Sequence, residues 1–249
     1  MNDDSENSLF KQYSAQLLRG MSKRMRDSSS SSELNEFIQH RFVFFKDAIR
    51  RNGMVRVRKN KITQFNLTAK NKSSYVIVEI VSPDAPFIVV TIEALMRQLD
   101  LKIISKLHPI IGVDLTEGRE LEKVFLPQQE LEKYDHLYLE VETEAENETL
   151  KDFEITIASH MLAIQLVRNH FQNMQRNLES MIELIQTITV VSSATKNEWS
   201  KLCGWLKQDN YSVMGYLKFS LEDSHSSELI NTIEDSGLGI ISSVYLEKT

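Results

Sequence analysis

The sequence predicts an α+β protein in which helices cover one face of an antiparallel sheet. The first reason is the order of patterns over residues 53–147, where a β-branched run is followed by a helix-period run and then by further strand-like runs. The second is the heptad pattern of residues 148–192, which predicts one long helix or a helical hairpin bent near residues 169–173. The third is a helix pattern and a strand pattern over residues 193–249, which indicate the start of a second, incomplete α+β unit.

Residues 1–52 are predicted to form a basic N-terminal helical pair. Apolar side chains recur at three- and four-residue steps over residues 8–26, and a second helix follows a serine run and extends to about Arg50. Val55 and Val57 then alternate with arginines, which predicts a strand with one solvated face.

The first α+β domain is predicted over residues 53–147. Its main elements are a strand over 75–81, a helix from Pro86 or Phe87 to about Leu99, an extended segment over 101–113 broken at His108-Pro109, and strands over 121–126 and 136–141. In the last unit, a helix pattern is followed by a predicted strand over 211–221.

Charge is unevenly distributed along the chain. Residues 1–72 carry a net charge of +8, whereas the remaining residues carry −14. A basic segment is typical either of nucleic-acid binding or of docking on an acidic surface of the same chain or of a sister subunit. The scattered placement of the basic residues favours docking. An RNA-binding sheet also needs exposed aromatic residues, and the predicted strands offer few, namely Tyr75, Phe125 and Tyr138.

No group of residues has the pattern of a catalytic centre or a metal site. The single cysteine, Cys203, shares a predicted helix face with Trp199 and Leu206, which indicates a buried structural thiol. The six histidines lack metal-binding spacing, and Gly237 with Gly239 does not complete a dinucleotide-binding motif. We therefore expect no catalytic residue, no metal and no cofactor in this chain.

The chain is expected to be cytoplasmic and not to associate with a membrane. No apolar run approaches the roughly 18–20 residues that a membrane helix needs. The acidic start, Met1 to Asp4, does not have the pattern of a secretory signal. One cysteine cannot form an internal disulfide.

The most informative stretch is the passage from a β-branched run to a helix between Val78 and Leu95. A strand that feeds a helix through a tight polar turn places backbone N–H groups and a helix N-terminus at one spot, where a small anionic metabolite can bind. The alternative is that Pro86 and Phe87 only start and pack the helix. The candidate effector-binding residues are Asp84, Ala85, Pro86, Phe87 and Ile88 on one side and His108 and Gly112 on the other.

Several motifs resemble those near the N-terminus of the very large bacterial NAD-dependent glutamate dehydrogenases. Residues 84–89, Asp-Ala-Pro-Phe-Ile-Val, are similar to the D-M-P-F-L-V-D-S signature of that family, and residues 108–110, His-Pro-Ile, are similar to its H-P-V. Residues 198–216 resemble its E…F-L-x-W-L-a-d-d-x-F-t-f-L-G-y block, and residues 238–241 resemble its L-G-I-L. The resemblance covers residues 75–241.

The resemblance implies ferredoxin-like modules of the ACT type, placed ahead of a catalytic domain that carries the catalytic lysine and an NAD-binding Rossmann fold. It implies a non-catalytic regulatory or oligomerisation region of a glutamate dehydrogenase, or a stand-alone relative. NAD is expected only in the catalytic domain, which this chain is expected not to reach. The implied partners are that domain or sister subunits, together with an amino-acid or carboxylate effector. The alternative is a stand-alone nucleic-acid-binding or protein-interaction module with a ferredoxin-like fold.

Overall fold

A computed structural model of the protein describes residues 3–60, 75–128, 131–143, 147–224 and 227–246. The chain divides into two compact units, Met1–Met161 and Leu162–Thr249. The helices are α1 (Asp3–Gly20), α2 (Lys23–Asp27), α3 (Ser31–Arg50), α4 (Ile88–Gln98), α5 (Asn147–Thr187), α6 (Ser193–Trp205) and α7 (Ser243–Leu246), with a π-helical turn at Leu206–Asn210. The strands are β1 (Met54–Asn60), β2 (Tyr75–Pro83), β3 (Lys102–Leu107), β4 (Ile110–Leu115), β5 (Leu121–Phe125), β6 (Glu132–Glu142), β7 (Gly215–Tyr216), β8 (Phe219–Ser224), β9 (Ser227–Thr232) and β10 (Leu238–Gly239).

Serine residues cap the N-terminal helices. The Ser22 side chain accepts a hydrogen bond from the Met25 backbone N–H at 3.2 Å and so starts α2. At the start of α3, Ser30 and Glu33 form a reciprocal capping box. The single helix predicted over residues 8–26 is therefore wrong, because the extended backbone of Ser22 separates α1 from α2.

The first unit contains a six-stranded sheet in the order β1-β2-β6-β4-β5, and β3 also pairs with β6. Every pair in it is antiparallel. Because β6 is 11 residues long, it pairs with β4 near its start and with β3 near its end. Pro109 lies between β3 and β4, where a residue without a backbone N–H costs the ladder no hydrogen bond. The predicted α+β fold with an antiparallel sheet and the break at His108-Pro109 are both confirmed.

One face of the sheet packs against α1 and α3. The rings of Phe37 from α3 and Tyr138 from β6 meet edge to face, with centroids 5.1 Å apart. The shared core includes Tyr13, Leu17, Phe42, Phe45, Ile49, Ile77, Val81, Ile111, Val113 and Tyr134.

The opposite face is covered as well, in addition to the one face that the sequence predicts to be covered by helices. Val76, Val78 and Val141 belong to this second face and are buried. A cavity of about 300 Å³ is lined by Val76 and Val141 together with Leu150 and Phe153, which places the start of α5 on that side. The β-branched residues of β2 run without polar alternation, as in strands buried on both faces.

Helix α5 is continuous over 41 residues, which corresponds to about 60 Å at 1.5 Å per residue. Of the two interpretations of the heptad pattern, the single helix is therefore correct. The strand predicted over residues 211–221 is wrong in extent, because the chain forms β7 and β8 there, which pair with β10 and β9. Cys203 is buried, as predicted, whereas Trp199 on the same helix is 41% exposed.

Candidate functional site

The turn between β2 and α4 is fastened to β6. The Asp84 backbone N–H donates to the Lys133 carbonyl oxygen at 2.8 Å, and the Asp84 carboxylate lies 3.5 Å from the Lys133 ammonium. The Ala85 backbone N–H donates to the Asp135 carboxylate at 3.3 Å. Two of the predicted site residues, Asp84 and Ala85, are therefore held in place by one strand.

His108 joins the same site through Asp135. The His108 Nε2 atom is in close contact with the Asp135 carboxylate, and the carbonyl of Pro109 accepts a hydrogen bond from the His136 backbone N–H at 3.0 Å. Burial raises the pKa of Asp135 above its ordinary value, the contact with His108 opposes this rise, and the negative charge of Asp84 adds to it. One buried carboxylate thus connects the β2–α4 turn to the β3–β4 connection.

Phe87 is the N-cap of α4 and has a left-handed backbone, with φ of 72°. A residue with a β-carbon adopts this conformation at a cost of about 1–2 kcal/mol. The Phe87 side chain makes no capping hydrogen bond and is 55% exposed, and Pro86 before it is exposed too. The N-terminus of α4, at Ile88, therefore lies beside an exposed aromatic ring in a strained turn of the kind that clusters at binding sites.

Ile88 and Gly112 contribute to this region in other ways. The Ile88 side chain is 2% exposed, so this residue has only its backbone N–H to offer a ligand. Gly112 pairs with Lys133 in the sheet, and a β-carbon at this position would lie 2.9 Å from the Leu126 carbonyl oxygen. Gly112 is thus a close-packing position, one strand away from the contacts of Asp84.

Sequence reasoning missed Asp135. The sequence predicts a strand over residues 136–141, which would leave this carboxylate in solvent at the strand end. The strand in fact begins at Glu132, and Asp135 is 2% exposed. A usable signal was the β-branched run of β2, which predicts a strand buried on both faces, because a carboxylate beside such a strand must itself be buried and must have partners.

A second polar group, the Glu79 cluster, is buried between the N-terminal helices and the sheet and consists of Tyr13, Arg41, Arg56, Glu79 and His136. The Glu79 carboxylate lies 2.5 Å from Arg41 Nε and 2.6 Å from Arg56 Nη2. The His136 ring lies 3.2 Å from Glu79 through Nε2 and 2.9 Å from the Tyr13 hydroxyl through Nδ1. The face of β1 that the sequence predicts to be solvated therefore carries an arginine that pairs with a buried carboxylate.

Burial and charge set the protonation states in the Glu79 cluster. Burial alone would raise the pKa of Glu79. The hydrogen bond from His136 and the positive charges of Arg41 and Arg56 outweigh the effect of burial, so the pKa of Glu79 lies below its ordinary value. Burial lowers the pKa of His136, although Glu79 opposes this shift. His136 is therefore neutral near pH 7, with Nε2–H donating to Glu79 and Nδ1 accepting from Tyr13.

Basic residues near the N-terminus pair with carboxylates of the same chain. Two arginines belong to the Glu79 cluster, and Arg50 Nη2 lies 2.7 Å from the Glu120 carboxylate. Such contacts are expected if the basic segment docks on acidic groups of its own chain. Tyr75 and Tyr138 are 6% and 1% exposed, so neither ring is available to stack on a base.

Within the described ranges, no three His, Cys, Asp or Glu side chains are grouped as a metal site would require. None of the helices in the same ranges combines the length and the apolar character that crossing a membrane demands.

Comparison with known proteins identifies one matching family model. The model, described as the ACT1 domain of glutamate dehydrogenase, matches residues 15–157. A curated relative, the NAD-specific glutamate dehydrogenase of Halomonas elongata, is 17% identical over 174 residues, which cover 68% of this chain and 11% of the relative. The matched segment thus spans about a tenth of the length of that relative. No solved structure matches the chain.

Proposed function

The chain belongs to the glutamate dehydrogenase ACT1-domain family, and from this premise we propose that it is a regulatory region that acts by binding and not by catalysis. In this proposal, the NAD-dependent conversion of glutamate to 2-oxoglutarate belongs to a catalytic domain outside the chain. The region works in the cytoplasm, where it binds an effector and passes the effect to that catalytic domain or to a sister subunit.

The proposed effector is a small amino acid or carboxylate that binds at the turn of residues 84–88. Its carboxylate accepts hydrogen bonds from backbone N–H groups at the N-terminus of α4, where the helix dipole favours negative charge. The His108 ring lies on the other side of the ligand. The absence of a side-chain cap at Phe87 supports this placement, because no side chain of the cap residue competes for those N–H groups.

The observation that carries the proposal is the double contact of Asp135. Its carboxylate bonds to Ala85 in one loop and to His108 in the other. A ligand that displaces either loop must therefore change the contacts of a carboxylate that is 2% exposed. The energetic cost of disturbing a buried charge gives the turn a means of transmitting ligand binding into the sheet.

The proposed contact with a catalytic domain or a sister subunit involves the same turn. Phe87 is 55% exposed, Val90 in the first turn of α4 is 60% exposed, and Ile110 at the start of β4 is 36% exposed. Aromatic residues that stay exposed in a strained turn supply contact area at low entropic cost. An effector that binds at this turn would then act directly on the neighbouring protein.

Thermal unfolding with a panel of amino acids and carboxylic acids tests the effector site. We expect at least one panel member to raise Tm, because a ligand that binds only the folded state stabilises it by about 2.7 kcal/mol at a hundred times its Kd. His108→Ala should remove most of this increase, since it deletes the ring that faces the turn through Asp135.

His40→Ala is the matched control, because it deletes an exposed imidazole from α3. This variant should respond to the ligand as the wild-type chain does. The proposal fails if no panel member raises Tm, or if the two histidine variants lose the same share of the increase.

A further inference from the structure

The second unit contains a cleft of about 330 Å³ that is lined by charged and amide side chains. One wall is α5, and the other consists of the loops on either side of the β8–β9 hairpin. The polar lining residues are Asn173, Arg176, Asn177, Lys218, Asp235 and Ser236.

Hydrogen bonds fix the walls of the cleft. The Ile233 backbone N–H donates to the Lys218 carbonyl oxygen at 2.9 Å, and the Lys218 backbone N–H donates to the Ser236 hydroxyl at 3.1 Å. The Gly239 backbone N–H donates to His170 Nδ1 of α5 at 2.9 Å. These contacts hold the two loops together and fasten β10 to the helix, so the lining side chains extend from a built scaffold.

The charges in the cleft have no ionic partners in the described part of the chain. None of the ion pairs there, at 4.0 Å or less, includes Arg176, Lys218 or Asp235. The Arg176 guanidinium instead donates to the Asn173 side-chain oxygen at 2.5 Å. The cleft therefore offers two cations and one carboxylate to a ligand.

We infer that this cleft binds an amino dicarboxylic acid, a small molecule with two carboxylates and one ammonium group. Arg176 and Lys218 each meet one carboxylate, and Asp235 meets the ammonium group. The net charge of +1 in the cleft complements the net charge of −1 on such a ligand. This binding site is separate from the regulatory turn of residues 84–88. Every residue that lines the cleft lies outside residues 15–157, which the ACT1-domain family model matches.

The three charged side chains are exposed, which bounds the expected affinity. Water and salt screen contacts of this kind, so three of them together give a Kd no tighter than about 6 mM. Such an affinity suits a ligand that is abundant in the cell.

Backbone amide shifts of Ser236 and Gly239, measured by NMR on the whole 249-residue chain, report binding in this cleft alone. Glutamate should shift them saturably. Glutamine, which lacks the second carboxylate, and 2-oxoglutarate, which lacks the ammonium group, should bind at least about fivefold more weakly. Arg176→Gln should weaken glutamate binding by a similar factor.

Arg168→Gln is the matched control, because Arg168 is exposed on the same helix and also bonds to a neighbouring amide, that of Asn169 at 3.3 Å. It does not line the cleft, so glutamate binding should stay unchanged. Asp235→Asn should abolish the preference for glutamate over 2-oxoglutarate, and asparagine tolerates the positive φ of 55° at this position.

His108→Ala should leave the binding in this cleft unchanged, so the failure of this inference and that of the effector turn are distinguishable. The inference is overturned if glutamate at about 20 mM leaves both amides unshifted. It is also overturned if Arg168→Gln weakens binding as much as Arg176→Gln does, or if Asp235→Asn keeps the preference for the amino acid.

Discussion

Glu79→Ala is expected to lower the free energy of unfolding by about 3–5 kcal/mol. Glu79 is 0% exposed and is the ion-pair partner of Arg41, which is itself 2% exposed. Deleting the carboxylate leaves the Arg41 guanidinium buried without that partner and leaves His136 Nε2–H without its acceptor. Since a domain is stable by only about 5–15 kcal/mol, this loss is a large share of the total.

Urea unfolding at pH 7.5 measures this effect. Glu120→Ala is the matched control, because Glu120 pairs with Arg50 at 2.7 Å while both side chains are about half exposed. Its loss should stay below about 1 kcal/mol, as is usual for a surface ion pair. Similar losses in the two variants would mean that the Glu79 cluster does not hold the N-terminal helices to the sheet.

A double variant separates the burial of charge from the loss of packing. Arg41→Met combined with Glu79→Met removes both buried charges and keeps much of the side-chain volume. It should be less destabilising than the sum of the single substitutions, because neither charge is left buried alone. Arg56, which is 38% exposed, can then be hydrated.

Lowering the pH from 7.5 to 5.5 is expected to destabilise the chain by up to about 1.4 kcal/mol through His136. In the unfolded chain this histidine has an ordinary pKa of 6.5, whereas burial lowers its pKa in the fold. The unfolded state therefore binds more protons below pH 6.5, and stability falls with pH. The ring is enclosed by Tyr13 from α1, Arg41 from α3, Arg56 from β1 and Glu79 from β2.

Glu79 and Asp135 also affect the pH dependence of stability, in opposite directions. The folded pKa of Glu79 lies below its ordinary value of 4.5, so its contribution is present above that value and is lost as pH falls through the folded pKa. The pKa of Asp135 is raised from its ordinary value of 3.8, so the folded state gains stability as this group takes up its proton. The contribution of His136 is therefore measured as the difference in pH dependence between the wild-type chain and a variant that lacks this ring.

Urea unfolding at pH 7.5, 6.5 and 5.5 tests the role of His136. His136→Gln should have a lower free energy of unfolding at pH 7.5 and a flatter dependence on pH than the wild-type chain. His40→Ala, which removes an exposed histidine, should keep the wild-type slope. Equal slopes for all three proteins would contradict the assignment of the pH dependence to the buried ring.

Local patterns in the sequence predict the elements that depend on local physics. The β-branched run of β2 and the break at Pro109 both follow from residues close together in the chain. In β1, by contrast, valines alternate with arginines. This alternation is the same whether the arginines face water or the buried Glu79. Only the pairing of distant segments decides between these two outcomes.

Asp135 illustrates the same limit within the candidate site. Its neighbours in the chain give no indication that Ala85 and His108 will both bond to its carboxylate. Ile88 is the opposite case. The sequence predicts this residue at the site, whereas its side chain is 2% exposed and belongs to the core. The sequence therefore predicts the turn between β2 and α4 but not the residue that connects this turn to the β3–β4 connection.

The most direct test of the central claim is an amide NMR titration of the whole chain with a ligand that raises Tm. Regulatory binding at the β2–α4 turn predicts saturable shifts of the Ala85, Phe87 and His108 amides, with one Kd that agrees with the thermal data. If these three amides stay unshifted while the ligand saturates the protein, the turn is not its binding site and the account is contradicted.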